Sequence, residues 1–367
     1  MHSGRFERLN NALQAAGLDA LALNPGPTLT YLTGLSFHLM ERPTVLLTVP
    51  GTEPALILPE LESAKASAAS IKLQTFPYSD NPASWQEAFN QAARALGLNK
   101  MTVGLEPTHI RFLELQYLKQ AAPEAKFVSA ETVLNGLRMQ KDAGEVASMR
   151  QAVKIAQKAL QATLPVIKAG VTEREIASEL FIQLLRAGSG PELPFQPIVS
   201  GGPHSADPHA QPSDRPLQAG DLLVIDWGAS YNGYISDLTR TFAIGPVNEE
   251  FQKIAELVRL ANEKGRLASR PGIAAGEVDK AARQVIEDGG YGAYFFHRVG
   301  HGIGMEAHEP PYMFSENDLI LAEGMAYTVE PGIYLPGRGG VRIEDNVVIT
   351  ANGAEVLSDL PRELITL

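Results

Sequence analysis

Residues 222–245 read LLVIDWGASYNGYISDLTRTFAIG. Two β-rich runs flank Asn232-Gly233, a dipeptide suited to a two-residue hairpin loop with both residues at positive φ. With that loop, position 226 faces 239, and Asp237 is a same-face diagonal neighbour of Asp226. Moving the loop centre back one residue puts the two Asp side chains directly opposite. Either way they share a face, between the apolar flanks VID and SDL. Like charges this close on an apolar strand pair are destabilising unless something positive lies between them. Taken alone, the pair also fits one Asp at a solvated strand edge.

Downstream, two more acids stand on apolar strand-like runs: Glu330 in AYTVEPGIY and Glu344 in GGVRIEDNVVI. A buried acid without a partner is costly. Arg342 is two residues from Glu344 and shares its face, so that stretch alone reads equally as an Arg–Glu salt bridge. His301 sits in VGHGIGMEAHE, where glycines on both sides let the ring approach a ligand closely. Four carboxylates and one imidazole form an oxygen-rich donor set. Two divalent cations would bring a charge of +4, which cancels four carboxylates, so a two-metal site is expected. Oxygen donors plus one imidazole suit Mn²⁺, with Co²⁺ and Zn²⁺ also compatible.

Upstream, apolar positions from Val146 to Ile167 recur at steps of three and four, which predicts one long helix from Asp142. TERE (172–175) is a capping-box pattern ahead of a second helix to about Ala187. The stretch to Pro216 reads as a long functional loop with one short strand, PIVSG. Residues 1–136 alternate helical and strand-like runs, with NPGPT as a turn and TVLLTVPG and EPALILP as a hairpin. The expected division is a smaller N-terminal α/β domain, 1–136, and a second domain, 137–367. With 367 residues, two domains are also the first expectation from length.

A formal net charge of −11 disfavours phosphate backbones and anionic lipid, so neither nucleic acid nor membrane is an expected partner. The chain has no Cys, which excludes disulfides, zinc ribbons and thiol nucleophiles; any metal must be held by His, Asp and Glu. MHSGRFERLNNALQ lacks the apolar core of a signal peptide, so a cytoplasmic location is expected.

The motifs VIDWGA, SDLTRTF, GHGIGMEAHEPP, TVEPGIY and GGVRIED, in that order, resemble the creatinase/aminopeptidase P/prolidase family (M24B) of metallopeptidases. LRMQKDAGEVASMRQA resembles the family's entry to its catalytic domain and YLTG (31–34) its N-terminal domain. The resemblance implies an α+β chain. A pita-bread domain would hold the ligands on the concave face of a curved antiparallel sheet, and a creatinase-like α/β domain would lean over the cleft. It places the dinuclear ligands on Asp226, Asp237, His301, Glu330 and Glu344. By that resemblance Asp237 and Glu344 bridge both ions, Asp226 belongs to one, and His301 and Glu330 belong to the other. Glu330 would also take the proton of a bridging water and pass it to the leaving nitrogen. His209 resembles a substrate-side histidine. His308 resembles the group that steadies the carbonyl oxygen as charge develops. His297 matches a histidine four residues ahead of His301, and Arg342 matches an arginine that orients the last ligand.

The implied reaction is hydrolysis of Xaa-Pro bonds in short peptides, by a prolidase (dipeptides) or by an aminopeptidase P (longer peptides). The dipeptidase is preferred. A dipeptidase selective for the first residue, a methionine aminopeptidase and a metal-free creatinase-like protein rank lower. Many prolidases carry an arginine shortly after the HE pair, to hold the substrate's free carboxylate. Here HEPPYMF has Pro311 and Tyr312 instead, and Arg338 in LPGRGGV is the candidate for that role. Family members are often oligomers, so a homodimer is expected.

Overall fold

The computed structural model describes residues 2–69 and 71–367. The chain divides into two compact units, Met1–Arg138 and Met139–Leu367.

The first unit carries helices α1 (His2–Ala15), α2 (Pro27–Thr33), α3 (Ser63–Ser67), α4 (Trp85–Leu96), α5 (Phe112–Ala121) and α6, which runs Glu131–Met139. Its strands are β1 (Ala20–Leu23), β2 (Val45–Thr48), β3 (Ala55–Pro59), β4 (Gln74–Tyr78), β5 (Thr102–Leu105) and β6 (Lys126–Ser129). They form one mixed sheet in the order β4-β3-β2-β1-β5-β6. The β2–β3 hairpin expected from the Pro-Gly between two apolar runs is present, with Val45 opposite Ile57. Every residue of β1 is buried, which fits its uninterrupted apolar sequence in the sheet interior. Phe89 and Ala92 of α4 pack on this sheet. Within NPGPT the chain bends at Pro25 and Gly26, and Pro27 already opens α2, because at the first helical position its missing N–H would be unpaired anyway.

In the second unit Asp142 caps α7 (Ala143–Thr163) in a capping box with Glu145, and Thr172 and Glu175 do the same for α8 (Glu173–Ala187). The long helix stops at Thr163 rather than at Ile167. Pro165 has no N–H for an α-helical bond, and the chain tightens into a 3₁₀ turn at Leu164–Val166. Strands β7 (Ile198–Gly201), β8 (Leu222–Trp227), β9 (Ser230–Tyr231), β10 (Tyr234–Ile235) and β11 (Leu238–Ala243) follow, then helices α9 (Glu249–Ala268) and α10 (Gly276–Asp288). The last strands are β12 (Gly300–Gly302), β13 (Glu309–Met313), β14 (Ala326–Val329), β15 (Gly332–Leu335), β16 (Gly339–Arg342), β17 (Asp345–Thr350), β18 (Gly353–Val356) and β19 (Ile365–Thr366).

β8 and β11 pair antiparallel with Asp226 opposite Thr239, and the hairpin turns at Asn232 (φ 51°) and Gly233 (φ 79°). That is the two-residue-loop register. Two main sheets result, β19-β11-β8-β7 and β13-β12-β14-β17-β18, with an antiparallel bridge between Thr239 and Glu344. Each has its own helix pair. Met149, Val153 and Leu160 of α7 and Ile176 and Leu180 of α8 pack with Leu223, Ile225 and Trp227. Ile254 and Val258 of α9 and Val278 and Ala282 of α10 pack with Tyr327, Val329 and Ile333. The Trp227 indole N–H donates to the carbonyl of Ala156 at 2.9 Å, so the polar atom of this fully buried ring is satisfied. This α+β arrangement is the pita-bread fold.

Candidate metal centre

The two sheets meet where the acids lie. Asp226 is on β8, and Asp237 stands just before β11. The Asp237 backbone is held on both sides by Asn346: its N–H donates to Oδ1 at 3.1 Å and its carbonyl accepts from Nδ2 at 2.6 Å. His301 is the middle residue of β12, Glu330 follows β14, and Glu344 links β16 to β17. The Glu344 N–H donates to the Thr239 carbonyl at 3.1 Å. Glycines let β12 come this close. A Cβ on Gly300 would lie 1.9 Å from the Thr328 carbonyl oxygen, and one on Gly302 would lie 2.3 Å from that of Glu309.

Asp226, Asp237, His301, Glu330 and Glu344 thereby converge. One donor atom from each of Asp237, His301 and Glu344 falls within 4.8 Å of the others. His301 Nε2 is 3.2 Å from Glu330 Oε1 and 3.7 Å from Asp237 Oδ2. Burial, and then repulsion from neighbouring carboxylates, push the Asp237 and Glu344 carboxyls well above the ordinary range. Burial also raises Asp226, against the pull of Arg342. Glu330 goes the other way: burial opposes its ionisation, but the hydrogen bond and charge of His301 outweigh it and bring the group to about 2.

The cluster is short of counter-charge and of partners. Asp226 Oδ1, Asp237 Oδ1 and Glu344 Oε1 are buried with no hydrogen-bond partner. Orphaned carboxylate oxygens in a buried site are expensive, and three at one place need cations. Their hard oxygen donors, with one imidazole, fit divalent metal ions.

The other expected residues divide. His209, His297, His308 and Arg342 line the same cavity of about 600 Å³ as Asp226, Asp237, His301 and Glu330. The His308 ring sits edge-on to His301, centroids 4.1 Å apart; burial and the neighbouring His301 lower it to about 4. His297 is bonded to Tyr334 Oη at 3.0 Å and is also lowered by burial. Both rings are therefore neutral at pH 7. Arg342, expected to orient Glu344, bonds Asp226 directly and reaches Glu344 only through Thr239. Its Nη2 donates to Asp226 Oδ2 at 2.6 Å, and its Nε donates to Thr239 Oγ1 at 3.2 Å. Thr239 in turn donates to Glu344 Oε2 at 2.7 Å. Arg338 is corrected: it lies in an exposed turn, away from the cavity lining, and pairs with Glu250. Tyr312 is a β13 residue opposite His301, and its ring lies under the Arg298 guanidinium, 4.3 Å away.

Sequence reasoning assigned nothing to Tyr334, Asn346, Thr239, Arg298 or Phe296. Tyr334 and Thr239 stand inside the quoted motifs, and a hydroxyl at a buried strand position beside acids was the available signal. No local signal marks Arg298 or Phe296.

Sequence models of two families match: Metallopeptidase family M24 over residues 147–351, and the Creatinase/Prolidase N-terminal domain over 5–140. The chain is 36% identical to a Xaa-Pro dipeptidase of Pyrococcus furiosus, over 98% of this chain and 99% of that one. It superposes on the crystal structure of a prolidase from Thermococcus sibiricus with a TM-score of 0.94 at 32% identity, covering 100% and 99%. For an X-Pro aminopeptidase from Thermotoga maritima the TM-score is 0.86 at 31% identity, covering 98% and 99%. With its buried carboxylate ring on paired sheets and a match along nearly its whole length, the chain belongs to metallopeptidase family M24.

Proposed function

We propose that this protein is a dinuclear-metal exopeptidase that hydrolyses the Xaa-Pro bond of dipeptides. The observation that carries the reading is the ring of Asp226, Asp237, Glu330 and Glu344 around His301, with three buried carboxylate oxygens lacking partners. Relatives named Xaa-Pro dipeptidase and prolidase, alike over the full chain, support the substrate class. Asp226, Asp237, His301, Glu330 and Glu344 would together hold the two ions. When bound, the ions supply Lewis acidity and lower the pKa of the attacking water.

The chain's own groups do the rest. Glu330 Oε1 accepts from Thr328 Oγ1 at 3.1 Å, which fixes the carboxylate rotamer. It takes the proton of the attacking water and hands it to the prolyl nitrogen as the bond breaks. His308, neutral at pH 7, donates an N–H to the carbonyl oxygen as negative charge develops there. His209 and His297 line the cavity that takes the substrate, and Tyr334 braces the His297 ring. Arg342 holds Asp226 by one oxygen and leaves the other for metal.

Mn²⁺ is the proposed ion, with Co²⁺ and Zn²⁺ as substitutes. The proposed location is the cytoplasm and the proposed assembly a homodimer. Among the described residues no helix is long and apolar enough to cross a membrane.

Xaa-Pro, Xaa-Ala and Xaa-Pro-Xaa peptides assayed side by side with added Mn²⁺ test the reading. Fast turnover of Met-Pro with slow turnover of the other two is expected. Preference for the tripeptide would make the chain an aminopeptidase P. Equal rates on Met-Pro and Met-Ala would move selectivity to the first residue. No turnover of any would overturn the reading.

A further inference from the structure

A dipeptide differs from a longer peptide by a free carboxylate just past the scissile bond, and a site that prefers dipeptides needs a cation to meet it. Two arginines line the cavity. Arg342 is spent: it is 3% exposed and donates to Asp226, Thr239, Tyr334 and the Pro208 carbonyl. Arg298 is different. Half-buried in the wall, its guanidinium makes no ion pair or hydrogen bond among the described residues. Its guanidinium carbon stands 4.3 Å from the centroid of the Tyr312 ring, a cation–π contact that limits its rotamers. Tyr312 is one strand over from His301, in register with it, so the mount is tied to the metal face. Beside Arg298, Phe296 is 65% exposed and lines the same cavity, tilted on Tyr334 with centroids 5.5 Å apart. An apolar ring and an uncommitted guanidinium lining one cavity suit a prolyl ring carrying a carboxylate.

We propose that Arg298, mounted on Tyr312, receives the free carboxylate of the substrate's C-terminal residue and sets the preference for dipeptides over longer peptides. The inference rests on the Xaa-Pro dipeptidase reading. Arg298 takes the place of the cation expected shortly after the HE pair, where the chain has Pro311 and Tyr312. Tyr312 keeps part of that duty as the shelf.

The test compares Met-Pro, Met-Pro amide and Met-Pro-Gly on the Mn²⁺-loaded wild type and on Arg298→Met, Arg298→Lys and Tyr312→Leu. For Arg298→Met, the ratio of kcat/KM for Met-Pro over Met-Pro amide falls about 10- to 100-fold, mainly through KM. Arg298→Lys restores part of that ratio, since the charge returns without the fork. Tyr312→Leu shifts the ratio in the same direction by less. Metal content and melting temperature report folding for each variant. A wild type that cleaves no Xaa-Pro dipeptide overturns the underlying reading and this inference with it. A wild type that cleaves Met-Pro well, with an Arg298→Met variant that keeps the acid-over-amide ratio, overturns this inference alone.

Discussion

Glu344 and Asp345 are adjacent in sequence, both buried, and opposite in every other respect. Glu344 points into the acid ring and has an oxygen with no partner. Asp345 points to the other side of the strand, as alternation requires. There Arg240 reaches Oδ1 at 2.8 Å and Arg362 reaches Oδ2 at 2.7 Å, with Arg266 at 3.6 Å and the Ser358 hydroxyl completing the set. Burial alone would raise Asp345, but the arginines outweigh it and the carboxyl is held far below the ordinary range. The Glu344 carboxyl is pushed well above it. The difference teaches how to separate a structural buried acid from one built for a metal. The first finds its counter-charge in the chain. The second is left short by neighbours that are themselves acids.

The comparison breaks most sharply in activity. Glu330→Gln, which keeps the shape of the ring but not the base, is expected to lower kcat on Met-Pro by about 10²- to 10⁴-fold. Asp237→Asn is expected to abolish both the activity and the rise in melting temperature on adding Mn²⁺. Near-normal rates in either variant would defeat the mechanism. Asp345→Asn should do the converse. It strands Arg240 and Arg362 in a buried site, and the denaturant midpoint of the metal-free protein should fall by an amount worth about 3–5 kcal/mol. Its response to Mn²⁺ should persist, and a loss of that response with unchanged stability would erase the distinction.

His308 sharpens the boundary of the ring, since it touches His301 without joining the acids. His308→Ala should cost about 10²- to 10³-fold in kcat while both ions stay bound, as metal analysis after dialysis would show. Loss of the ions would make it a ligand-side residue instead. The smallest effect belongs to Thr239→Val. It removes the hydroxyl between Arg342 and Glu344, and the expected loss is about 1 kcal/mol of stability, read as a lower melting temperature.

Much of this contrast was legible in the sequence, and the limits have physical causes. The hairpin at Asn232-Gly233 is a local signal: it gave the shared face of two acids in either of two registers, and the structure has the one with 226 opposite 239. Glu330 stood out because an acid closing an apolar strand has few bland explanations, whereas the Glu344 stretch alone read equally as a salt bridge to Arg342. The direct bond from Arg342 to Asp226 was not legible, because Glu344 is two residues away while Asp226 lies across 116 positions of chain. Tertiary pairing across that distance leaves no local pattern. Arg338 was put forward to stand in for the arginine missing after the HE pair, and Glu250, far off in sequence, claims it. Strand β6 and helix α6 were missed. β6 is largely exposed, and its short polar-flanked run lacks a clear period.

The two glycines around His301 carry a consequence for how this chain could drift. Their absent side chains set the separation of three strands, and a methyl at either position meets backbone on the next strand. Selection on packing alone therefore retains them. A descendant that abandoned peptide hydrolysis for another trade would keep Gly300 and Gly302 long after Asp237 or Glu344 had changed. In such a lineage the glycines testify to ancestry, and only the acids testify to chemistry.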